Sequence, residues 1–276
     1  MKNGIIKKII AIAAVSTIAI SIVGCGNNTK KESASSNASA LESIKSKGKL
    51  VIGTSADFPP YEFHSTVDGK DEIVGIDIDI AKQVAEDLGV KLEIKDMDFD
   101  GLLVALQSDK VDMVFSGMTP TAERKENVDF SDMYYSVKQT FIVRSGDEAT
   151  IKSIDDLKGK KIGVQKGSVQ EGMAKGLFDA ESIKSLSKVT DLVLDLKNNK
   201  VDAILLETPI AEFNAKKNEG IALTSIVLED PDGGYAIAMK KDQAELQTEV
   251  NKTIKELQDG NKIADFAVKA SEAMDK

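Results

Sequence analysis

The chain of 276 residues has one cysteine, one histidine, five prolines and no tryptophan. A single cysteine closes no disulfide within the chain, so the fold must stand on its apolar core. The single histidine, His64, has no cysteine, histidine or clustered acid beside it; it reads as a surface-loop histidine, and no metal site is expected. No nucleophile is paired with a base, so neither catalytic residues nor a cofactor are expected. Basic residues are in deficit too: 36 Lys and Arg stand against 45 Asp and Glu, a net charge of −9. That balance argues against nucleic acid and against adhesion to anionic lipid surfaces.

Long apolar runs are missing with one exception. Lys2, Lys7 and Lys8 precede an apolar stretch from Ile9 to Val23, broken by Ser16, Thr17 and Ser21. The stretch is short for a spanning helix and ends in small residues, which marks residues 1–24 as a secretory signal peptide. Ile22-Val23-Gly24-Cys25 looks like a bacterial lipobox, so Cys25 is expected to carry a lipid. Without residues 1–24 the net charge is −12. From Asn27 to Ala40 the chain is rich in Ser, Asn, Lys and Ala with almost nothing to bury, and residues 25–44 are read as a lipidated, disordered tether. The protein is then expected on the outer face of a bacterial cell membrane, touching it only through the N-terminal lipid.

The remainder reads as alternating strands and helices. Lys49 to Gly53 is a first strand, and Thr54 to Glu62 the loop at its end, where Pro59-Pro60 holds Phe58 and Tyr61 extended. Gly75 to Gly89 is a helix with Ile76, Ile80, Val84 and Leu88 at every fourth position. Asp77 and Asp79 could be taken for a catalytic pair, but complementing the helix dipole explains them more simply. A strand at Lys91–Lys95, a loop with Phe99, a helix over 101–109 and a buried strand at Val111–Phe115 follow.

The stretch Ser116 to Ser131 organises the rest. Gly117 turns the backbone after the strand, and Thr119 or Thr121 is placed to cap a short helix, with Pro120 tolerated at its start. Such a corner offers free N–H groups and partial positive charge. Arg124, a turn later, offers a fork of donors that fits a carboxylate. Small-anion capture is one reading; a capped helix with a solvated arginine is the other.

An internal echo adds a second half. Lys110, Val111 and Asp112 recur as Lys200, Val201 and Asp202, ninety positions later. Gly48-Lys-Leu-Val-Ile likewise recurs near Gly159-Lys-Lys-Ile-Gly-Val. Two α/β lobes of similar plan follow from this, with the ligand at the strand C-termini. The echo sets Gly117 opposite Glu207, so a cationic, amide-rich corner faces a carboxylate, and a zwitterion satisfies both. Ser168 caps the helix after the strand Lys161–Gln165. Tyr235–Met239 resembles Gln139–Val143, so two near-parallel crossings are expected to join the lobes. Terminal helices at 243–259 and 262–274 are expected to pack on the first lobe.

Taken together, the helix beginning Gly75-Ile-Asp-Ile-Asp-Ile and the Thr-x-x-x-x-Arg run leading to Val128-Asp-Phe-Ser131 resemble the family-3 extracellular solute-binding proteins of polar amino-acid ABC importers. The resemblance covers residues 45–260. It implies a two-lobe periplasmic-binding-protein fold of type II, with residues 45–136 and 236–276 in lobe 1 and 137–235 in lobe 2. It implies a monomeric, lipid-anchored receptor that binds a free L-amino acid, polar or basic, and delivers it to the permease subunits of an importer. By it, Arg124 with the amides or hydroxyls of Gly117 and Thr119 holds the α-carboxylate. Ser168, Val169 and Gln170 add contacts, Glu207 takes the α-ammonium, and Phe58 and Phe99 flank the side chain. Three departures stand out: Glu rather than Asp at 207, no tryptophan near the C-terminus, and Ser55 where several basic-amino-acid binders carry Asp. Ser55 favours uncharged polar side chains unless Asp57 turns inward. A cyclohexadienyl-dehydratase-like enzyme and a sensory amino-acid receptor are the alternatives on this fold.

Overall fold

The computed structural model describes residues 39–230 and 233–274. The expected signal peptide, Cys25 and most of the tether fall outside them. The tether does not extend to residue 44: Ser39 opens a capping box with Glu42 and starts α1 (Ala40–Lys47). Ile44 gives that helix something to bury, and it is 1% exposed.

After α1 come β1 (Lys49–Thr54), β2 (Asp57–Phe58), β3 (Glu62–Val67) and β4 (Lys70–Val74). The last three form a small antiparallel sheet. The loop expected over 54–62 is therefore interrupted by a strand. Tyr61 lies in the turn made by Pro59 and Pro60 rather than in extended backbone. His64 sits on β3, not in a loop, with Nδ1 2.9 Å from an Asp71 carboxylate oxygen on β4. Cross-strand pairing, invisible to local pattern, accounts for both differences.

The chain continues through α2 (Ile76–Asp87), β5 (Lys91–Asp96), a 3₁₀ turn at Phe99–Gly101, α3 (Leu102–Gln107), β6 (Met113–Val114), α4 (Ala122–Asn127) and β7 (Val128–Phe130). It leaves through β8 (Tyr135–Ser136). A second body holds β9 (Gln139–Arg144), β10 (Ile162–Gln165), α5 (Val169–Leu177), β11 (Ile183–Leu186), α6 (Val189–Lys197), β12 (Ala203–Glu207), α7 (Thr208–Lys217) and β13 (Ile221–Leu228). The return runs through β14 (Gly234–Tyr235) to β15 (Ala238–Lys240), α8 (Ala244–Asp259) and α9 (Lys262–Met274). Both α8 and α9 contact α2, and Val250, Ile254 and Leu257 are buried there.

Two five-stranded sheets result, in the orders β5-β1-β6-β15-β7 and β11-β10-β12-β9-β13. The echo is realised atom for atom. Asp112 accepts from the Val51 N–H at 2.7 Å, and Asp202 from the Lys161 N–H at 2.9 Å, each tying the start of its strand to the neighbour. In the first sheet Gly53 packs under Leu102 and Val111; in the second, Gly163 packs under Leu192 and Val201. The two crossings, β8 and β14, pair antiparallel rather than near-parallel, because one carries the chain out and the other brings it back. All four tyrosines of the chain cluster at this ribbon: Tyr61 and Tyr235 centroids are 4.7 Å apart, and Tyr134 and Tyr135 lie within 6.2 Å of Tyr235.

Candidate ligand-binding cleft

One narrow cavity is lined from both lobes by the C-terminal ends of their parallel strands and the helix starts that follow. The first lobe's contribution is the corner after β6. Gly117 holds φ +50, and a side chain there would press on the Phe58 ring and approach Tyr235, so only glycine fits. Thr121, not Thr119, caps α4, accepting from the Arg124 N–H at 3.3 Å. Thr119 is thereby left to line the cavity, 2% exposed, with no hydrogen bond to its N–H or hydroxyl among the described residues. The Arg124 guanidinium reaches the Thr119 carbonyl at 2.8 Å and, across the cleft, the Gly167 carbonyl at 2.9 Å. It lies 5.4 Å from the Phe99 ring centre. Two of its five N–H donors are so engaged, which leaves the others for a ligand.

The second lobe adds the start of α5. Ser168 caps it, accepting from the Glu171 N–H at 3.2 Å and donating to the Gln165 carbonyl at 2.7 Å. Val169 and Gln170 follow in the first turn, where helix amides have no partner of their own. The Gln170 side chain is fixed by Gln139 at 2.8 Å. Glu207, at the end of β12, closes the opposite wall.

Acids dominate the electrostatics. Glu62, fully buried at the start of β3, accepts from the Ser116 hydroxyl at 2.8 Å through one carboxylate oxygen. The other oxygen, buried as well, has no partner among the described residues. Burial, then the neighbouring Asp77 carboxyl, pushes Glu62 well above the usual carboxylate range. Burial pushes Glu207 up to about 7, with Gln170 and Arg124 pulling the other way. Asp77 rises to about 6 through burial, opposed by the Gly117 amide and the Tyr134 hydroxyl. Arg124 falls to about 10, again from burial, with Glu207 opposing. Behind one guanidinium the cleft therefore holds several buried carboxyl groups whose charged forms burial disfavours.

The structure brings Ser55, Phe58, Phe99, Gly117, Thr119, Arg124, Ser168, Val169, Gln170 and Glu207 to this cavity. Asp57 does not line it. Its carboxylate turns to the Val189 N–H at 2.5 Å and accepts from the Ser55 hydroxyl at 3.0 Å. Gly117 lines the cavity, but its amide is taken: it donates to Asp77 at 2.8 Å, so only its carbonyl remains for a ligand. Asp77 is accordingly more than a dipole partner, since it also accepts from the Tyr134 hydroxyl at 2.7 Å. Glu62, Ser116 and Gln165 line the cavity without having been expected there. An acid set between Tyr61 and Phe63, two aromatic residues, was the one available hint of the first.

A sequence model of the bacterial extracellular solute-binding proteins, family 3, matches residues 50–270. The arginine-binding extracellular protein of Bacillus subtilis (strain 168) is 38% identical over 263 residues, 93% of this chain and 95% of that protein. A probable histidine-binding protein of Campylobacter jejuni is 33% identical over 86% of this chain and 87% of its own length. Among solved structures, an amino-acid ABC transporter substrate-binding protein of Streptococcus pneumoniae bound to L-arginine superposes with a TM-score of 0.82. It is 45% identical, covering 84% of this chain and 98% of that one.

Proposed function

Because the chain belongs to the bacterial extracellular solute-binding proteins of family 3, with their two-lobe type II α/β fold, we propose that its cleft captures L-arginine for an ABC importer. The observation that carries the choice of substrate is Glu62. Any amino-acid zwitterion uses Arg124 for its α-carboxylate and Glu207 for its α-ammonium. That leaves a second buried, half-unpartnered acid to be matched by the side chain. A guanidinium matches it by drawing it into the carboxylate form against the upward push of burial; an uncharged side chain gives that form no counter-charge. Ser55 alone favoured uncharged substrates, but the counter-charge comes from β3 instead.

In this reading the remaining Arg124 donors, the Thr119 N–H and hydroxyl, and the first amides of α5 receive the α-carboxylate. Glu207 and the Gly117 carbonyl receive the α-ammonium. Phe58 and Phe99 flank the aliphatic stem, and Glu62 takes the guanidinium. The lobes divide at the β8–β14 ribbon and move about it as a hinge. Cys25 carries the lipid that holds a monomeric receptor at the outer membrane face, where it meets the permease subunits. Charge disfavours an enzymatic reading. A prephenate-like diacid would face Glu62 and Glu207 with Arg124 the only cation lining the cavity among the described residues.

Calorimetric titration with L-arginine, L-lysine, L-histidine, L-glutamine and L-cystine tests the proposal. L-arginine is expected to bind tightest; a neutral amino acid binding more tightly overturns it.

A further inference from the structure

We infer that Asp57 is a positioning residue that latches the lobes together by capping α6 from across the cleft. The inference rests on the capture reading above. The N-cap residue of α6, Lys188, makes no capping bond through its own side chain. Helix N-termini leave their first amides without partners, and here the first of them, Val189, is served by a residue 132 positions away on the other lobe. Asp57 and Val189 are 7% and 1% exposed, so the bond is shielded from water. The carboxylate also meets the positive end of the helix dipole. The Ser55 hydroxyl, on the other oxygen, fixes its direction.

Other contacts cross the cleft, but nearer to solvent. Arg124 reaches the Gly167 carbonyl, and Lys166 pairs with Asp100 at 2.7 Å with its own side chain 57% exposed. Exposed pairs contribute little. The buried Asp57 bond is therefore the stronger tie. It exists only while the lobes are together, because opening parts its two ends. Since Asp57 does not line the cavity, it governs how long a ligand stays without touching it.

The experiment compares the parent with Asp57→Ala and Asp57→Asn, asparagine being as good an N-cap as aspartate. Hydrogen exchange at the Val189 amide is read with L-arginine saturating, which holds the lobes together, and again without ligand, where the closed fraction reports the bond. It is expected to accelerate about tenfold in Asp57→Ala and to stay within about threefold of the parent in Asp57→Asn. Stopped-flow tyrosine fluorescence, read from the cluster at the ribbon, follows L-arginine release. Dissociation is expected to quicken about tenfold in Asp57→Ala, with association within about twofold of the parent. Unchanged Val189 exchange in Asp57→Ala overturns the latch, as does faster exchange with an unchanged release rate. If L-arginine binds neither protein, the capture reading fails, while the exchange result still decides the bond. Should Asp57→Ala not fold, Val189→Pro removes the donor instead. Proline suits the first helical position, and Lys188 before it is already extended at φ −117, ψ 137. Release from that variant is expected to quicken similarly; an unchanged rate overturns the latch.

Discussion

The Ser116 hydroxyl donates to one carboxylate oxygen of Glu62 at 2.8 Å, while the other oxygen lies buried with no partner among the described residues. A serine just past the first lobe's central strand thus aims a second acid, beside Glu207, at the cavity.

Replacing Glu62 with glutamine keeps the shape and the Ser116 bond but removes the charge. L-arginine affinity is expected to fall by about two to three decades, because its guanidinium would be desolvated against a neutral amide. The thermal transition without ligand is expected to hold or rise, since a buried acid has been removed. Calorimetry and a thermal melt check the two halves separately.

Binding is expected to weaken in acid. Burial pushes Glu207 up to about 7, and an ammonium bound there would require its carboxylate, so on the proposed reading capture releases a proton below that pH. Between pH 8 and pH 6 affinity is expected to fall about tenfold from this group alone, and Glu62 steepens the fall. The sign for stability is opposite. A carboxyl raised from 4.5 to about 7 stabilises the fold relatively at low pH and loses that contribution as pH climbs through the interval, by about 3 kcal/mol. Titrations across pH in buffers of different ionisation enthalpy count the protons; a flat profile contradicts the assignment.

Arg124 and Glu207 line the cavity from different lobes, so on the proposed reading truncating either leaves unpaired the end of the zwitterion that it holds. Arg124→Ala and Glu207→Ala are each expected to lose about two decades or more of affinity, a cost of roughly 3 kcal/mol or above. Arg124→Lys is expected to rescue little, because an ammonium lacks the fork and cannot hold the Thr119 and Gly167 carbonyls together. Equilibrium binding within about threefold of the parent contradicts both roles.

Much of this fold can be read from the sequence because its signals are local or repeated. The Lys-Val-Asp echo marks equivalent strand starts, and Asp112 and Asp202 do the same work in each sheet. The Ser116–Arg124 corner is written in turn and capping residues that need no distant partner. What escapes is what depends on a partner far along the chain. Asp77 looks like any acid at a helix start until Gly117, forty residues on, is seen donating to it. Asp57 has the spacing of a pocket residue, yet its direction is set by Val189 in the other lobe. Glu62 is one residue in a short strand, and only the closing of β3 against Ser116 makes it part of the site.

Localisation has its own test. Cys25→Ala is expected to move the protein from the membrane fraction into a soluble or secreted one after signal processing, seen by fractionation and blotting. A variant that stays membrane-bound like the parent contradicts lipid anchoring.

The most direct measurement is the ratio of affinities for L-arginine and L-citrulline at pH 8. The two differ at the side-chain tip, a guanidinium in one and a neutral urea of nearly the same shape in the other. If Glu62 answers the guanidinium charge, L-arginine is expected to bind at least about a hundredfold tighter. Equal affinities, or no binding of L-arginine at all, would contradict arginine capture in this cleft.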